Sequence, residues 1–196
     1  MSLHGGAAAY RPAPGAGLVG GRRRGSAEVY GRNDVIRWLA YELDLVPDPA
    51  AMRAVLQGWA AEQRDMAPGT GRWALVLLDG EAQVGGTLVG GITLLPTPVP
   101  EADVEIGYQL APEYWGQGYI TEAARALARW AFQHSLVELF ALVAPDNARA
   151  AATARRIGME WVGESDKYHG THLEVYRLRP DDLACPVMHV RSSPGS

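Results

Sequence analysis

A glycine-spaced turn gives this chain a place to bind phosphate. The segment Pro112–Ala123 reads Pro-Glu-Tyr-Trp-Gly-Gln-Gly-Tyr-Ile-Thr-Glu-Ala and sets Gly116 and Gly118 just before a helical pattern. Glycine lets the backbone approach a ligand closely, and the first N–H groups of a helix have no partner within it. The helix dipole adds partial positive charge at the same point. The sequence therefore predicts a phosphate-bearing ligand here.

The elements around this turn follow from the spacing of apolar residues. Val104–Leu110 alternates and predicts a strand, whereas Thr121–His134 separates an apolar face from a charged face and predicts a helix. Val137–Ala144 is predicted to be a buried strand, and Pro145–Asn147 then breaks it and caps a second helix that ends at Gly158. Two last strands are predicted at Met159–Gly163 and Thr171–Leu178.

The first half of the chain is less regular. Residues 1–26 are rich in Gly, Ala, Pro and Arg and have no clear period, so they are predicted to form a tail. Helices are predicted at Asp34–Leu43 and Asp48–Arg64. A strand is predicted at Arg72–Leu78, followed by a hairpin turn at Asp79–Gly80. An irregular glycine-rich hairpin is predicted within Val84–Leu95, and the segment Pro96–Pro100 is predicted to interrupt the sheet.

Composition narrows the class of protein. The chain has 196 residues, a net charge of -4 and a pI near 5.7, which fits one domain and argues against general nucleic-acid binding. Its one cysteine, Cys185, excludes an internal disulfide and a cysteine-rich metal site. No apolar run approaches the roughly 18 residues that cross a membrane. We therefore expect a cytoplasmic protein without a metal, a nucleic-acid partner or a membrane partner.

Three blocks, in order along the chain, resemble the GNAT superfamily of acyl-CoA-dependent N-acyltransferases. They are Val104–Tyr108, Tyr114–Ala123, and Pro145–Asn147 together with Ile157–Met159. Within the superfamily, the chain looks like the branch that includes the ribosomal-protein alanine N-acetyltransferases. The resemblance implies a mixed, mostly antiparallel sheet of six or seven strands with a central splay, flanked by about four helices.

The resemblance also implies how coenzyme A binds. In the family, backbone N–H groups of the turn hold the pyrophosphate, and the pantetheine arm lies in the wedge between two splayed strands. Backbone groups near Leu110 would pair with that arm, and an N–H there could stabilise the oxyanion. Asn147 would either hydrogen-bond the arm or cap its helix. In this chain, the resemblance implies that the pyrophosphate is bound by the backbone N–H groups of Gln117, Gly118, Tyr119, Ile120 and Thr121.

The groups that would move protons are less well matched. Glu105 is our choice of general base, directly or through water, because it lies on the strand that lines the cleft; a structural ion pair is the alternative. Many relatives place a serine acid where this chain has Ala150, or a tyrosine acid where it has Ala154. Since a thiol has a pKa near 8.5, its thiolate can leave without an acid, at a modest cost in rate.

Other candidate residues surround the predicted acceptor pocket and cofactor. Trp38 and Tyr41 on the first predicted helix would wall the acceptor pocket, as that helix does in relatives. His169 and His172 belong to the final hairpin, where solvent exposure is the favoured interpretation. Solvation is likewise favoured over phosphate binding for Arg149 and Arg156.

The sequence thus predicts an acetyl-CoA-dependent N-acetyltransferase that acts on a primary amine by direct attack in a ternary complex. The acceptor, a small molecule or a peptide, is left open, as is a homodimer. The alternative is a non-catalytic acyl-CoA-binding or regulatory module. The predicted domain spans residues 27–183, with a C-terminal tail at 184–196 and an N-terminal tail at 1–26 whose first strand is degenerate or missing.

Overall fold

The computed structural model describes residues 58–59, 61–62, 65–77, 87–99, 103–168 and 170–184. The predicted tails, the predicted helix Asp34–Leu43, and Trp38, Tyr41 and His169 lie outside these residues. Of the second predicted helix, residues 58–59 and 61–62 are described, and they are helical as expected.

Six strands form one sheet in the described part of the chain. Their order across the sheet is β1-β2-β3-β4-β6-β5, and every neighbouring pair is antiparallel except β3 with β4. This mixed, mostly antiparallel sheet confirms the predicted fold class. The strands are β1 Gly71–Leu77, β2 Thr87–Pro96, β3 Val104–Leu110, β4 Leu139–Val143, β5 Glu160–Ser165 and β6 Leu173–Leu178.

One helix follows each of the two central strands. Helix α1, Tyr119–Gln133, follows β3, and helix α2, Ala148–Ile157, follows β4. Small side chains let α1 lie close to the sheet, and the stripe that it buries is Ala123, Ala124, Leu127, Ala128 and Ala131. Helix α2 ends at Gly158, whose φ of 108° is accessible to glycine at little cost.

One core fills the space between the helices and the sheet. Alternation places Val104, Ile106 and Leu110 of β3 on the helix side, together with Leu139, Ala141 and Val143 of β4. A smaller apolar cluster lies on the opposite face of the sheet and consists of Phe140, Tyr168, Leu173 and Val175. The two faces of β3 and β4 therefore have separate surroundings.

Strands β3 and β4 are joined near their beginnings only. Their register has one pair, Glu105 with Phe140, although the strands contain seven and five residues. Both strands run in the same direction, so the sheet opens toward the starts of α1 and α2. The predicted central splay lies at this opening.

Two local features refine the sequence prediction. The segment predicted as an irregular hairpin contains one strand, β2, and its irregularity is a register shift against β1, where Leu75 pairs with Gly90 and Val76 pairs with Leu88. A Cβ atom at Gly90 would collide with the backbone carbonyl of Gln109, so this position requires glycine. The prediction of a buried strand from Val137 was wrong at its start, because Val137 precedes β4 and is 76% exposed.

Candidate functional site

The glycine-spaced turn joins β3 to α1 through a short 3₁₀ helix at Pro112–Tyr114. Gly116 and Gly118 have φ values of 75° and 85°, in the left-handed region that other residues rarely adopt. No atom lies within 4 Å of where a Cβ would stand on either glycine. The sequence therefore uses glycine here for its backbone conformation, and the turn opens to solvent.

The first turn of α1 presents backbone donors. Glu122 is the first residue whose N–H bonds within the helix, to the Gly118 oxygen at 3.0 Å. The N–H groups of Tyr119, Ile120 and Thr121 precede it and have no carbonyl one turn back in the helix. The Ile120 side chain packs against the core, so its size leaves the backbone open. These donors and the helix dipole suit an anion.

Side chains shape the turn from within. The Gln117 amide donates to the Glu113 carbonyl at 3.3 Å, and the Tyr119 hydroxyl donates to the Gln117 side-chain oxygen at 3.0 Å. The Gln117 side chain is thus used locally, which leaves its backbone N–H as the group that the sequence prediction requires.

The edge of β3 that faces the opening also carries backbone groups. Ala111 N–H donates to the Val89 oxygen at 2.8 Å, and Gly90 stands opposite Leu110. In an antiparallel pair, this pattern turns the backbone groups of Leu110 away from β2. Tyr108 lies two residues before Leu110, so its backbone groups point to the same side of the strand. The N–H groups of Tyr108 and Leu110 therefore point toward the gap beside β4.

Trp115 connects the glycine-spaced turn with β3 and with the start of α2. Its indole N–H donates to the Leu110 carbonyl at 2.7 Å, and the Arg149 guanidinium lies 4.3 Å from the centroid of its ring. Arg149 belongs to the first turn of α2. The starts of α1 and α2 therefore meet at the same end of the opening.

Asn147 is the N-cap of α2. Its side-chain oxygen accepts from Ala150 N–H at 3.1 Å. Of the two roles that the sequence left open, capping is the one observed. The Asn147 amide NH₂ group is not used in this bond and keeps its two donors for another partner.

Tyr108 crosses from β3 to α2. Its side chain lies on the helix side of the sheet, and its hydroxyl donates to the Ala150 carbonyl at 3.1 Å. Burial raises the pKa of Tyr108, and the neighbouring Tyr176 raises it further. The hydroxyl therefore stays protonated. Alternation along β3 places Tyr108 on this face, but the sequence analysis did not single it out.

Glu105 occupies the other face of β3. It stands at the closed end of the opening, between Leu95 of β2 and Phe140 of β4, and is half-buried. The smaller apolar cluster with Phe140 and Tyr168 adjoins this position. Glu105 and the α1 start are thus separated by the sheet, and a ligand would have to pass through the opening to reach both.

The final hairpin approaches the same face. The Tyr168 hydroxyl donates to an Asp103 carboxylate oxygen at 2.6 Å, and the Lys167 ammonium contacts the same oxygen at 3.2 Å. Tyr168 is 1% exposed. These contacts attach the end of β5 to the residue that precedes β3.

His172 is held by two carboxylates. Its Nδ1 lies 2.8 Å from Asp166 and its Nε2 lies 3.1 Å from Glu164. These hydrogen bonds, that to Asp166 foremost, raise the pKa of His172. Because its pKa is raised, a larger fraction of His172 is already protonated at neutral pH, so the imidazole is less available to accept a proton. Its side chain is exposed, in line with the interpretation favoured from the sequence.

No cluster of three or more His, Cys, Asp or Glu side chains among the described residues is suited to a metal ion. No described helix is long and apolar enough to span a bilayer.

Solved structures share the fold. An acetyltransferase from Agrobacterium tumefaciens aligns with 79% of this chain and 83% of its own, with a TM-score of 0.59 and 26% identity. A GNAT-family acetyltransferase from Bacillus anthracis aligns over 80% and 86%, with a TM-score of 0.59 and 22% identity. The structure of AAC(6')-Ib in complex with ribostamycin and coenzyme A aligns over 86% and 94%, with a TM-score of 0.62 and 14% identity.

Curated relatives match over shorter stretches. An FsC-acetyl coenzyme A-N(2)-transacetylase of Aspergillus fumigatus is 30% identical over 107 residues, which are 51% of this chain and 41% of that protein. The uncharacterized protein YkkB of Bacillus subtilis is 35% identical over 78 residues, 39% of this chain and 45% of that protein. The matches thus span less than half the length of these relatives.

A family comparison covers most of the chain. The model of the acetyltransferase (GNAT) domain matches residues 24–160, which include β1 to β4, both helices and the glycine-spaced turn. The chain belongs to the GNAT acetyltransferase family.

Proposed function

We propose that this protein transfers an acetyl group from acetyl-CoA to a primary amine, in a ternary complex and without an acyl-enzyme intermediate. The observation that carries the proposal is the opening between β3 and β4, with the starts of α1 and α2 at its mouth. It offers backbone N–H groups at the start of α1 for a phosphate, N–H groups of β3 that face the gap, and the Glu105 carboxylate at the closed end, in a chain of the GNAT family.

The cofactor would bind by its backbone contacts. The pyrophosphate would lie against the N–H groups of Gln117 to Thr121, and the pantetheine arm would run along the edge of β3 that faces the opening. Leu110 N–H pairs with that arm as a neighbouring strand would. Asn147 supports the arm through its amide NH₂ while its oxygen caps α2. The bound structure of AAC(6')-Ib with coenzyme A makes this cofactor reasonable for the fold.

The chemistry begins with a neutral amine. An α-amine has a pKa near 8, so a base that takes its proton accelerates attack at neutral pH. Glu105 fills this role, through water where the amine is too far. The amine attacks the thioester carbon, and a backbone N–H of β3 stabilises the oxyanion.

The acceptor would lie on the face of the sheet that carries Glu105. We propose a primary amine of a small molecule or of a peptide N-terminus, the latter from the resemblance to the ribosomal-protein alanine branch. An aminoglycoside is a further member of the class, since ribostamycin is named with AAC(6')-Ib. Trp38 and Tyr41 remain predicted walls of the acceptor pocket. A cytoplasmic location and a homodimer remain predictions of the sequence.

A panel of amines tests this function. The full chain is mixed with acetyl-CoA and with alanine-starting peptides, aminoglycosides or polyamines, and free thiol is followed together with the mass of the amine. Thiol release that depends on the amine, with an acetylated product, supports the proposal. Thiol release without acetylated amine contradicts it.

A second function has specific support. Ala150 and Ala154 replace the serine and tyrosine that act as acids in many relatives, which favours a module that binds acyl-CoA without turning it over. This alternative predicts that acetyl-CoA raises the melting temperature of the protein while no amine in the panel is acetylated.

A further inference from the structure

Tyr108 places a hydroxyl where the chain lacks its expected acid. The hydroxyl donates to the carbonyl of Ala150 at 3.1 Å, and Ala150 occupies the serine position of the relatives. One turn later, Ala154 is fully buried. A methyl group can donate no hydrogen bond, so neither alanine can assist a leaving thiolate.

The backbone of the same residue faces the proposed cofactor path. The N–H of Tyr108 points toward the gap beside β4, and the side chain extends from that gap to the first turn of α2. A thioester lying along β3 would therefore pass close to the Cα atom of Tyr108. The Tyr108 side chain thus reaches from β3 to α2.

The hydroxyl can exchange its partner at little cost. Ala150 lies inside α2, so its carbonyl also accepts the N–H of Ala154 in the helix. Withdrawing the phenol leaves that carbonyl with a partner. The Tyr108 hydroxyl is thus free to turn from a satisfied carbonyl to a sulfur with developing negative charge.

We propose that Tyr108 is a catalytic residue that donates a hydrogen bond to the departing coenzyme A sulfur, in place of the missing serine or tyrosine. This inference rests on the proposed acetyl transfer. The amine nitrogen bonds to the acetyl carbon, the carbon–sulfur bond breaks, and its electron pair goes to sulfur. The amine proton goes to Glu105 or water, the phenol keeps its own proton, and water later protonates the thiolate.

A hydrogen bond fits this phenol better than proton transfer. Burial and Tyr176 raise the pKa of Tyr108 above its ordinary value near 10, whereas a thiol has a pKa near 8.5. Full transfer would run uphill, but a neutral donor stays available throughout the working pH range. A hydrogen bond to a charged sulfur is stronger than one to a neutral carbonyl.

The first arm of the test removes the hydroxyl and varies the leaving group. Tyr108→Phe is assayed as the full chain with the best amine of the panel, using acetyl-CoA and its selenoester analogue. We expect kcat with acetyl-CoA to fall about 10- to 100-fold, the effect of losing a hydrogen bond to a charged group. The loss should be smaller with the selenoester, because a selenolate is the better leaving group. The KM for acetyl-CoA should change little.

The second arm restores a donor and controls for stability. In Tyr108→Phe/Ala150→Ser, the serine hydroxyl should recover most of the lost kcat. Tyr176→Phe is the matched control, since its hydroxyl on the same side of the sheet contacts Arg155 and Glu174 at 2.9 and 2.7 Å. Tyr176→Phe should lower the melting temperature and change kcat by the same factor with acetyl-CoA and with the selenoester analogue.

The outcomes separate the two claims. Unchanged kcat in Tyr108→Phe, or equal loss with both donors and no recovery by Ala150→Ser, overturns the role of Tyr108 while wild-type turnover upholds the transferase. Wild type that acetylates no amine overturns both.

Discussion

At the scale of single residues, the proposed acetyl transfer depends on Glu105 as the general base. Glu105→Gln keeps the size of the side chain but removes its ability to take a proton. We expect kcat to fall roughly 10²- to 10⁴-fold at neutral pH, the usual contribution of a general base. Acetyl-CoA should still raise the melting temperature as in wild type, because Glu105 lies on the opposite face of the sheet from the glycine-spaced turn.

The control for this change is Glu160→Gln. Glu160 lies on the edge strand β5 and pairs with Arg177 at 3.1 Å, away from the opening. Its substitution should leave the rate unchanged. A Glu105→Gln variant that turns over at the wild-type rate across the pH range would remove Glu105 from the mechanism.

His172 makes a prediction about pH and stability. The contacts with Asp166 and Glu164 raise its pKa in the folded state above the ordinary value near 6.5. A raised pKa means that the folded state binds the proton more tightly, so the stabilisation is complete below about pH 6.5 and is lost as pH rises through the folded pKa. The melting-temperature difference between wild type and His172→Gln should therefore be present at low pH and disappear at alkaline pH. High salt should shrink it, because the group is exposed. A difference that grows with pH would contradict the assignment.

At the scale of elements, the turn before α1 carries the cofactor prediction. Gly118→Ala forces alanine into a φ of 85°, which costs about 1–2 kcal/mol of stability. It also adds a methyl group to a surface that the pyrophosphate would approach. We expect lower stability and a weaker affinity for acetyl-CoA, measured by titration calorimetry.

Gly170 is the matched position for this test. Its φ is 64°, a Cβ there meets no atom within 4 Å, and it lies in the β5–β6 hairpin. Gly170→Ala should cost similar stability but leave the affinity for acetyl-CoA intact. Equal affinities of the two variants would place the cofactor elsewhere.

The sequence predicted most of these elements, for identifiable reasons. Alternation located Val104–Leu110, and the apolar stripe with Ala123 and Leu127 located α1, because both patterns reflect burial on one face. Val137 misled the strand prediction since an apolar residue can be exposed in a connection. The glycine spacing located the turn before α1, and the three family blocks predict that this turn binds the pyrophosphate of coenzyme A. The contact of Tyr108 with Ala150 depends on packing between residues 42 apart, which no local pattern contains.

At the scale of the whole molecule, Arg125 joins separate parts of the domain. Its guanidinium donates to the Ile157 carbonyl at 2.6 Å and to the Leu183 carbonyl at 3.1 Å. Helix α1 is thereby attached to the end of α2 and to the 3₁₀ helix Pro180–Leu183. Arg125→Met would leave both carbonyls without this donor, and we expect a loss of about 1–3 kcal/mol in the free energy of unfolding.

Arg129→Met supplies the comparison for Arg125. Arg129 lies one turn later on α1 and is exposed, so its loss should change the free energy of unfolding by less than about 0.5 kcal/mol. Urea unfolding of the two variants measures the difference. Similar values for both would show that the Arg125 contacts contribute little.

The central claim is acetyl transfer from acetyl-CoA to an amine at the opening between β3 and β4. Its most direct test follows thiol release from acetyl-CoA by the full chain with each amine of the panel, with the mass of the amine measured in the same samples. We expect amine-dependent thiol release, matched mole for mole by acetylated amine and reduced strongly by Glu105→Gln. Binding of acetyl-CoA with no acetylated amine from any member of the panel would contradict it.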